Sequence, residues 1–244
     1  MKPNLSWEAE FFFQLGLHCD RAKNYPAAIA NFDKALKCQP KYANAWSHRG
    51  LVLGKLGYHA EAVNNFDKAL SIRPDAAWLW HNRGIALGQL GRYEAAVDSF
   101  DRAIQLKPTI SMFWHNRGVT YIDWGNYEQA VASLDCALQL QLNSSWAWYQ
   151  RGVALLRLQR YDESLNSFDR AIEFQPNFYQ AWYNRGMALN SLLGYQQAVA
   201  SFNRAIEIHP EYDPAWYNKG IALEKLGYYS QALACFNKVN LLKK

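Results

Sequence analysis

Long apolar runs, paired cysteines and blocks of like charge are all missing from this chain of 244 residues. No stretch approaches the roughly 20 apolar residues that a membrane-spanning helix needs. The opening residues, MKPNLSWEAE, lack the apolar segment that is typical of a signal peptide. These absences lead us to expect a cytoplasmic protein without a membrane-spanning segment.

Cysteine usage and charge exclude further classes of protein. The four cysteines show no C-x-x-C spacing, so they predict reduced thiols. The net charge of +5 comes from 26 basic and 21 acidic residues that are spread along the chain, and no block of them indicates a nucleic-acid or membrane patch. Because half of the residues are hydrophobic and 15% are aromatic, the composition is not that of a disordered chain.

What the sequence does contain is a repeated five-residue motif. Copies of it read WSHRG at 46–50, WHNRG at 80–84 and 114–118, WYQRG at 148–152, WYNRG at 182–186 and WYNKG at 216–220. The glycines of these copies lie 34 residues apart, and the same step leads back to Gly16, where Phe12 takes the place of the tryptophan. Seven repeats without an insertion, beginning near residues 9, 43, 77, 111, 145, 179 and 213, predict a stacked repeat array.

Each repeat predicts two helices. Trp80 and Gly84 share one face of the first helix, and a break follows at Gly91. Residues 93–104 then carry a second apolar face with a period near 3.6 residues. Pro108 closes the unit, because proline lacks the N–H that a continuing helix needs. We therefore predict a helix–turn–helix in every repeat, with the tryptophan and the glycine in the core.

The repeat closely resembles the tetratricopeptide repeat (TPR) family over about residues 9–244. A Trp with a Gly four residues on, followed by Tyr, Ala, Phe, Ala and Pro columns, carries the resemblance, and its WYNRG form is similar to bacterial and in particular cyanobacterial members. The resemblance implies an all-α fold, a right-handed α-solenoid (superhelix) of seven 34-residue helix–turn–helix units. We expect residues 1–8 to be an N-terminal lead-in and residues 9–244 a single TPR domain. Departures from the family pattern occur at Leu142, Ser164, Val239 and Asn240.

The arginine three residues past each tryptophan is predicted to lie on the buried side of its helix, where it needs a partner. If each arginine pairs within its own repeat, Arg185 meets Asn203 and no acid. Pairing with the preceding repeat leaves no arginine without an acid, and it gives Arg49–Asp33, Arg83–Asp67, Arg117–Asp101, Arg151–Asp135 and Arg185–Asp169. We predict this inter-repeat ladder of ion pairs, and the alternative is that both residues simply reach solvent.

The first helices of a TPR array line a concave groove, which the resemblance implies as the partner-binding surface. At 100° per residue, positions two before the tryptophan and one, two, five, eight and nine after it share that face. The predicted groove residues are Trp78, His81, Asn82, Met112, His115, Asn116, Ile122, Trp146, Tyr149, Gln150, Leu156, Tyr183, Asn184, Tyr217 and Asn218. Trp78 and Trp146, in an apolar patch of the central repeats, are the predicted anchors.

Carboxamides fill most of the column two residues past the tryptophan. Such a side chain can donate and accept toward one peptide unit, so a ladder of them could hold an extended peptide by its backbone. Peptide binding through an asparagine ladder is also what the resemblance implies for some TPR superhelices. The alternative is that these side chains are only solvated. Binding of chaperone tails is not expected, because the column one past the tryptophan lacks the lysines that grip a carboxylate.

Taken together, these patterns predict a non-enzymatic protein–protein interaction scaffold with no catalytic residue, no cofactor and no metal. His81 and His115 occupy equivalent positions of neighbouring repeats, but no third and fourth zinc ligand is evident. The expected partner is a protein or peptide segment.

Two alternatives remain open for the function. The chain could be a self-associating fragment of a larger protein, forming a homo-oligomer through the C-terminal repeat, where Val239, Leu241 and Leu242 are predicted to lack a following helix. It could also be a helical repeat that reads single-stranded RNA. The charges of the groove argue against nucleic acid, because acidic residues offset the basic ones and a phosphate backbone needs a net positive track.

Overall fold

The computed structural model describes residues 6–242, and within that range the chain folds into α-helices without a strand. The fourteen helices of these residues are α1 Trp7–Arg21, α2 Tyr25–Cys38, α3 Ala43–Lys55, α4 His59–Ile72, α5 Ala77–Gln89, α6 Tyr93–Leu106, α7 Ser111–Trp124, α8 Tyr127–Leu140, α9 Ser145–Arg157, α10 Tyr161–Phe174, α11 Tyr179–Ser191, α12 Tyr195–Ile208, α13 Asp213–Lys225 and α14 Tyr229–Leu242. None of the described helices is long and apolar enough to cross a membrane. The all-α prediction is confirmed.

Each repeat contributes one odd-numbered first helix and one even-numbered second helix. From α3 onward, the first helices begin at the six residues that the 34-residue step predicts, 43, 77, 111, 145, 179 and 213. Helix α1 begins at Trp7, so two residues of the predicted lead-in are helical. Residues 1–5 of that lead-in lie outside the described part of the chain, and a single TPR domain over 9–244 stays a prediction.

The chain forms two compact units, one ending at Trp124 and the other beginning at Gly125. In the first unit, α1 to α7 pack consecutively, and the first helices α1, α3, α5 and α7 also contact one another in that order. In the second unit, α8 to α14 pack consecutively, and α9, α11 and α13 do the same. This consecutive packing is typical of an α-solenoid, and it makes a surface of first helices in each unit. We call it the first-helix surface.

Close contact between the two helices of a repeat explains the motif's glycine. A Cβ atom built on Gly186 would lie 2.5 Å from the Phe202 ring, and one on Gly152 would lie 2.6 Å from the Phe168 ring. Both phenylalanines are fully buried. Only glycine lets the second helix bring its phenylalanine this close to the first helix.

The turn inside each repeat needs one residue with left-handed backbone. Gly57, Gly91, Gly125 and Gly227 take positive φ there, and Lys23, Gln159 and Leu193 do so at the equivalent positions of the other repeats. Glycine adopts this conformation without the steric cost that a side chain adds.

Candidate functional site

The arginine of the motif joins neighbouring repeats, as the sequence predicts. Arg83 Nε donates to Asp67 Oδ1 at 2.7 Å, and Arg151 Nε donates to Asp135 Oδ1 at 2.6 Å. The pairs Arg49–Asp33 and Arg185–Asp169 also use the arginine Nε, while Arg117 donates to Asp101 Oδ1 through Nη1. The inter-repeat register is therefore confirmed, although the aspartates remain partly exposed to solvent.

A second partner of these arginines was missed by the sequence reasoning. Arg83 Nη1 donates to Ser99 Oγ at 2.8 Å, and Arg185 Nη1 donates to Ser201 Oγ at 2.8 Å, both within the arginine's own repeat. One guanidinium thus connects its first helix to the second helix of the preceding repeat and to the second helix of its own repeat. A further 34-residue column, sixteen residues after each arginine of the ladder and holding Asn65, Ser99, Ser133, Ser167 and Ser201, could have pointed to this role.

The tryptophan of the motif packs against the core, as predicted, and keeps part of its ring exposed to solvent. Its indole N–H bonds to a backbone carbonyl six residues earlier, as when Trp80 Nε1 donates to Pro74 O at 2.8 Å. Trp148 makes the same bond to Leu142 O at 2.8 Å. Because the acceptor is a main-chain oxygen, leucine at 142 can replace the proline of the other repeats.

His81 lies in the interior and not on an open surface, which corrects its assignment as a groove residue. Its side chain is 3% exposed, and its ring packs 4.9 Å from the Phe113 ring. Asn116 Nδ2 donates to His81 Nε2 at 2.8 Å, so the imidazole proton resides on Nδ1, which faces Asn82 Oδ1 at 3.3 Å. Burial lowers the pKa of His81 to about 4, because the charged form would lose its hydration.

The second unit repeats this arrangement with tyrosines in place of histidine. Asn184 Nδ2 donates to Tyr149 Oη at 3.3 Å, and Asn218 Nδ2 donates to Tyr183 Oη at 3.1 Å. The same amide nitrogens also donate to the backbone carbonyls of Gln180 and Pro214. Burial raises the pKa of both tyrosines.

These bonds reduce the number of hydrogen-bonding atoms that the carboxamides of Asn184 and Asn218 can offer a ligand. Both amide hydrogens of Asn184 and of Asn218 are used inside the protein. An asparagine with these two bonds has no amide hydrogen left for a peptide carbonyl, and the ladder stays a prediction at these two positions. The amide oxygens remain as acceptors for a peptide N–H.

Large apolar side chains are exposed on the first-helix surface of the first unit. Trp78 is 44% exposed, Ile85 40% and Met112 50%, and they lie on the contacting helices α5 and α7. The Trp78 ring also packs edge-on against Phe113, with ring centroids 4.8 Å apart. Trp78 therefore has one face fixed by the protein and another face open to a partner.

The second unit presents its own set of exposed side chains. Trp146 is 51% exposed while its ring packs 4.7 Å from Phe178, and Tyr217 is 52% exposed. The remaining predicted site residues are partly buried, and they are Asn82, His115, Asn116 and Ile122 in the first unit, with Tyr149, Gln150, Leu156, Tyr183, Asn184 and Asn218 in the second. The structure thus distributes the predicted residues over two surfaces, one in each unit.

The last repeat exposes apolar residues on its second helix. Leu233 of α14 is 60% exposed, whereas Val97, the residue in the same column of the third repeat, is 7% exposed. Of the residues predicted to lack a following helix, Val239 is 6% exposed within its own repeat, while Leu241 is 65% exposed. Among residues 6–242, no three His, Cys, Asp or Glu side chains cluster as metal ligands would.

Family models of the tetratricopeptide repeat match most of the chain. They cover residues 41–109, 99–132, 145–178, 179–212 and 201–234, and a model described as TPR repeat matches residues 22–57. No curated protein matches the chain.

Solved structures share the arrangement of helices. YrrB, described as a TPR protein with an unusual peptide-binding site, is 24% identical with a TM-score of 0.65, and the match covers 77% of this chain and 97% of YrrB. A tetratricopeptide repeat protein from Parabacteroides merdae is 18% identical with a TM-score of 0.75 over 98% of this chain and 94% of its own. PilW, a type IV pilus biogenesis factor, is 22% identical with a TM-score of 0.75 over 86% and 97%. At these identities the likeness shows the fold alone.

Proposed function

The chain belongs to the tetratricopeptide repeat family, and from this premise we propose that it is a non-enzymatic scaffold that binds a peptide or partner segment on its first-helix surface. YrrB, which has the same fold, is described as having a peptide-binding site. A cytoplasmic location and a bacterial origin stay predictions of the sequence.

The exposed Trp78, Ile85 and Met112 on α5 and α7 carry the proposal. Soluble proteins rarely leave several large apolar side chains together on one surface unless a partner covers them. Tryptophan is also among the residues that most often dominate binding energy. The ring contact with Phe113 holds Trp78 in one orientation, so little side-chain entropy is lost when a partner binds.

In the second unit, the amide oxygens of Asn184 and Asn218 supply the polar part of the proposed recognition. Each amide is oriented by two internal hydrogen bonds, which leave its oxygen as the acceptor for a backbone N–H. Such acceptors read the backbone of a bound segment and not its side chains. Trp146 and Tyr217 flank them as apolar contacts.

A peptide selected from a random display library against the whole chain tests the proposal. We expect Trp78→Ala to weaken its binding by about 2 kcal/mol, as hot-spot truncations do. Tyr58→Ala is the matched control, because Tyr58 is a similarly exposed aromatic residue in the turn before α4. Calorimetric titration measures the affinities, and circular dichroism verifies that each variant is folded. Equal affinities for wild type and Trp78→Ala, with Met112→Ala also unchanged, would remove this surface as the site.

Self-association through the seventh repeat is the second candidate, and the exposure of Leu233 favours it. Residues of its column are buried in the second, third and fourth repeats, where a following helix covers them. Sedimentation equilibrium of wild type and Leu233→Lys tests this candidate. A concentration-dependent mass that the substitution abolishes is the expected result, and a monomer at every concentration would reject it.

A further inference from the structure

An open cavity of about 150 Å³ lies on the first-helix surface of the first unit, lined by α3, α4 and α5. Its lining is mostly apolar and includes Leu51, Phe66 and Ile85, while Asn82 and His59 are the polar side chains that reach it. No residue of the inter-repeat ladder of ion pairs lines this cavity. The cavity lies one helix away from α7, which carries Met112, and it shares Ile85 with the exposed apolar residues of α5.

Gly54 is the first cause of this cavity. A Cβ atom built on Gly54 would meet nothing within 4 Å, so the space above this glycine is open. The same column holds Ile122 in the fourth repeat and Leu156 in the fifth, which shows that a first helix of this fold accepts a large aliphatic residue there. Gly88, the equivalent of the third repeat, differs because its Cβ position already lies 3.7 Å from Thr120 Oγ1.

His59 is the second cause. Its column is tyrosine in all six other repeats, from Tyr25 to Tyr229. The Tyr25 ring reaches the following first helix, where Lys55 Nζ lies 5.7 Å from the ring centroid. A histidine is shorter than a tyrosine by the phenol's outer carbon and its hydroxyl. The second repeat therefore combines a glycine and a shorter ring at two of the positions that border this space.

We propose that this cavity binds one apolar side chain of the partner segment, of the size and shape of the phenylalanine ring. The inference rests on the proposed function and adds the residue class that the partner must present. Apolar cavities of about 150 Å³ accept benzene, so the volume and the mostly apolar lining of this open cavity both fit a phenyl group. The rings of Phe66 and His59 in the wall offer edge-to-face contacts to it. Asn82 at the rim is placed to bond the backbone of the same segment.

N-acetyl-phenylalaninamide is the probe, because it carries the ring without the rest of a partner. We would follow the backbone amide signals of the whole chain by two-dimensional NMR during a titration at millimolar concentrations. The expected result is a saturable shift of the signals of Gly50, Gly54, Ala62 and Asn82. N-acetyl-alaninamide, which lacks the ring, should leave these signals in place.

Two filling variants and one matched control decide the outcome. Gly54→Leu and His59→Tyr should each abolish the shifts, because each restores a side chain that other repeats carry at that position. Gly88→Leu makes the same change one repeat later, outside the cavity lining, and should leave binding intact. Circular dichroism verifies the fold of all three variants.

The proposal is overturned if the wild-type signals do not shift, if they shift elsewhere, or if both filling variants bind the probe as the wild type does. This titration needs no natural partner, so its outcome is separate from that of the display experiment. A library peptide that requires Trp78 but contains no aromatic residue, together with no probe binding, would reject the cavity and leave the proposed function standing.

Discussion

The glycine of the motif has room for a hydrogen atom and nothing larger. At Gly186, a Cβ would lie 2.5 Å from the Phe202 ring, which is fully buried and cannot move away without opening the core. The same residue type at Gly54 has open space around it. Two helical glycines of one chain thus lie in different surroundings, and packing requires a glycine only at Gly186.

Gly186→Ala should therefore lower the free energy of unfolding by about 1–3 kcal/mol, the usual cost of overpacking a core. Gly54→Ala is the control, and we expect it to raise stability by up to about 1 kcal/mol, because alanine favours a helix over glycine. Urea unfolding followed by circular dichroism measures both changes. Similar effects of the two substitutions would contradict the packing explanation.

His81 is a buried imidazole that must remain neutral. Its pKa in the folded protein is lowered by burial from 6.5 to about 4. The unfolded chain takes up the proton first as the pH falls, so the contribution of His81 to stability is complete above pH 6.5 and is lost as the pH falls toward 4. The loss amounts to roughly 3 kcal/mol.

His81→Tyr should reduce the loss of unfolding free energy between pH 6.5 and pH 4. Tyrosine occupies the same column at Tyr149 and Tyr183. The hydroxyl of each accepts a hydrogen bond from an asparagine of the next repeat, as His81 Nε2 accepts one from Asn116. Urea unfolding at pH 7.0 and pH 4.5 measures the change. His48 and His115 also have lowered pKa values and are present in both proteins, so the difference between wild type and variant isolates His81. An unchanged pH dependence would show that His81 is accessible to protons.

At the scale of helices, polar bonds fix how one repeat follows the next. Arg83 on α5 bonds Asp67 on α4 and Ser99 on α6, so that a single side chain connects three helices. The indole of Trp80 adds a bond to the carbonyl of Pro74 in the loop that precedes α5. These bonds set the register between repeats, while the apolar contacts supply the larger part of the packing.

A double-mutant cycle on Asp67→Ala and Arg83→Ala should reveal this link. We expect a coupling energy of about 0.5–1 kcal/mol, because Asp67 is partly exposed and water weakens the pair. Arg160 and Glu163 form the control pair, an i,i+3 contact within the start of one helix that joins no repeats. Their coupling should be about 0.2–0.5 kcal/mol. A coupling in the first cycle no larger than in the control would leave the ladder without a role in stability.

At the scale of the whole molecule, the net charge and the exposed side chains favour different kinds of partner. The chain is mildly basic, with a net charge of +5, yet its largest exposed side chains on the first-helix surfaces are apolar. Apolar contacts respond little to salt, whereas contacts to phosphates respond steeply because bound counterions are released.

The salt dependence of the binding affinity therefore distinguishes a peptide partner from single-stranded RNA. The affinity for a selected peptide should change by less than about tenfold between 50 and 200 mM salt, whereas 6–10 phosphate contacts would lower it about 10³–10⁵-fold. Fluorescence anisotropy with a labelled peptide and a labelled RNA oligonucleotide measures both. RNA binding that is tight at low salt and falls along such a slope would favour the nucleic-acid alternative.

The sequence by itself determined the helices and their pairing. A 34-residue period predicts where the first helices begin, at every 34th residue from 43 to 213. Because all seven copies share the same spacing, the turns between helices must fall at the same position in every repeat. The Arg83–Asp67 register followed from counting acids against arginines, since an arginine that faces a core must have a partner.

Only the tertiary structure decided which polar side chains of the motif remain available to a ligand. The helical wheel places His81 and Asn184 on the surface. The neighbouring repeat covers His81, while the amide hydrogens of Asn184 go to Tyr149 of the preceding repeat and to the carbonyl of Gln180 in its own helix. The distance to the next helix is not encoded in the spacing along one helix. The cavity beside Gly54 also needed the tertiary structure, because the small residues at 54 and 59 leave a gap only where α3, α4 and α5 pack together.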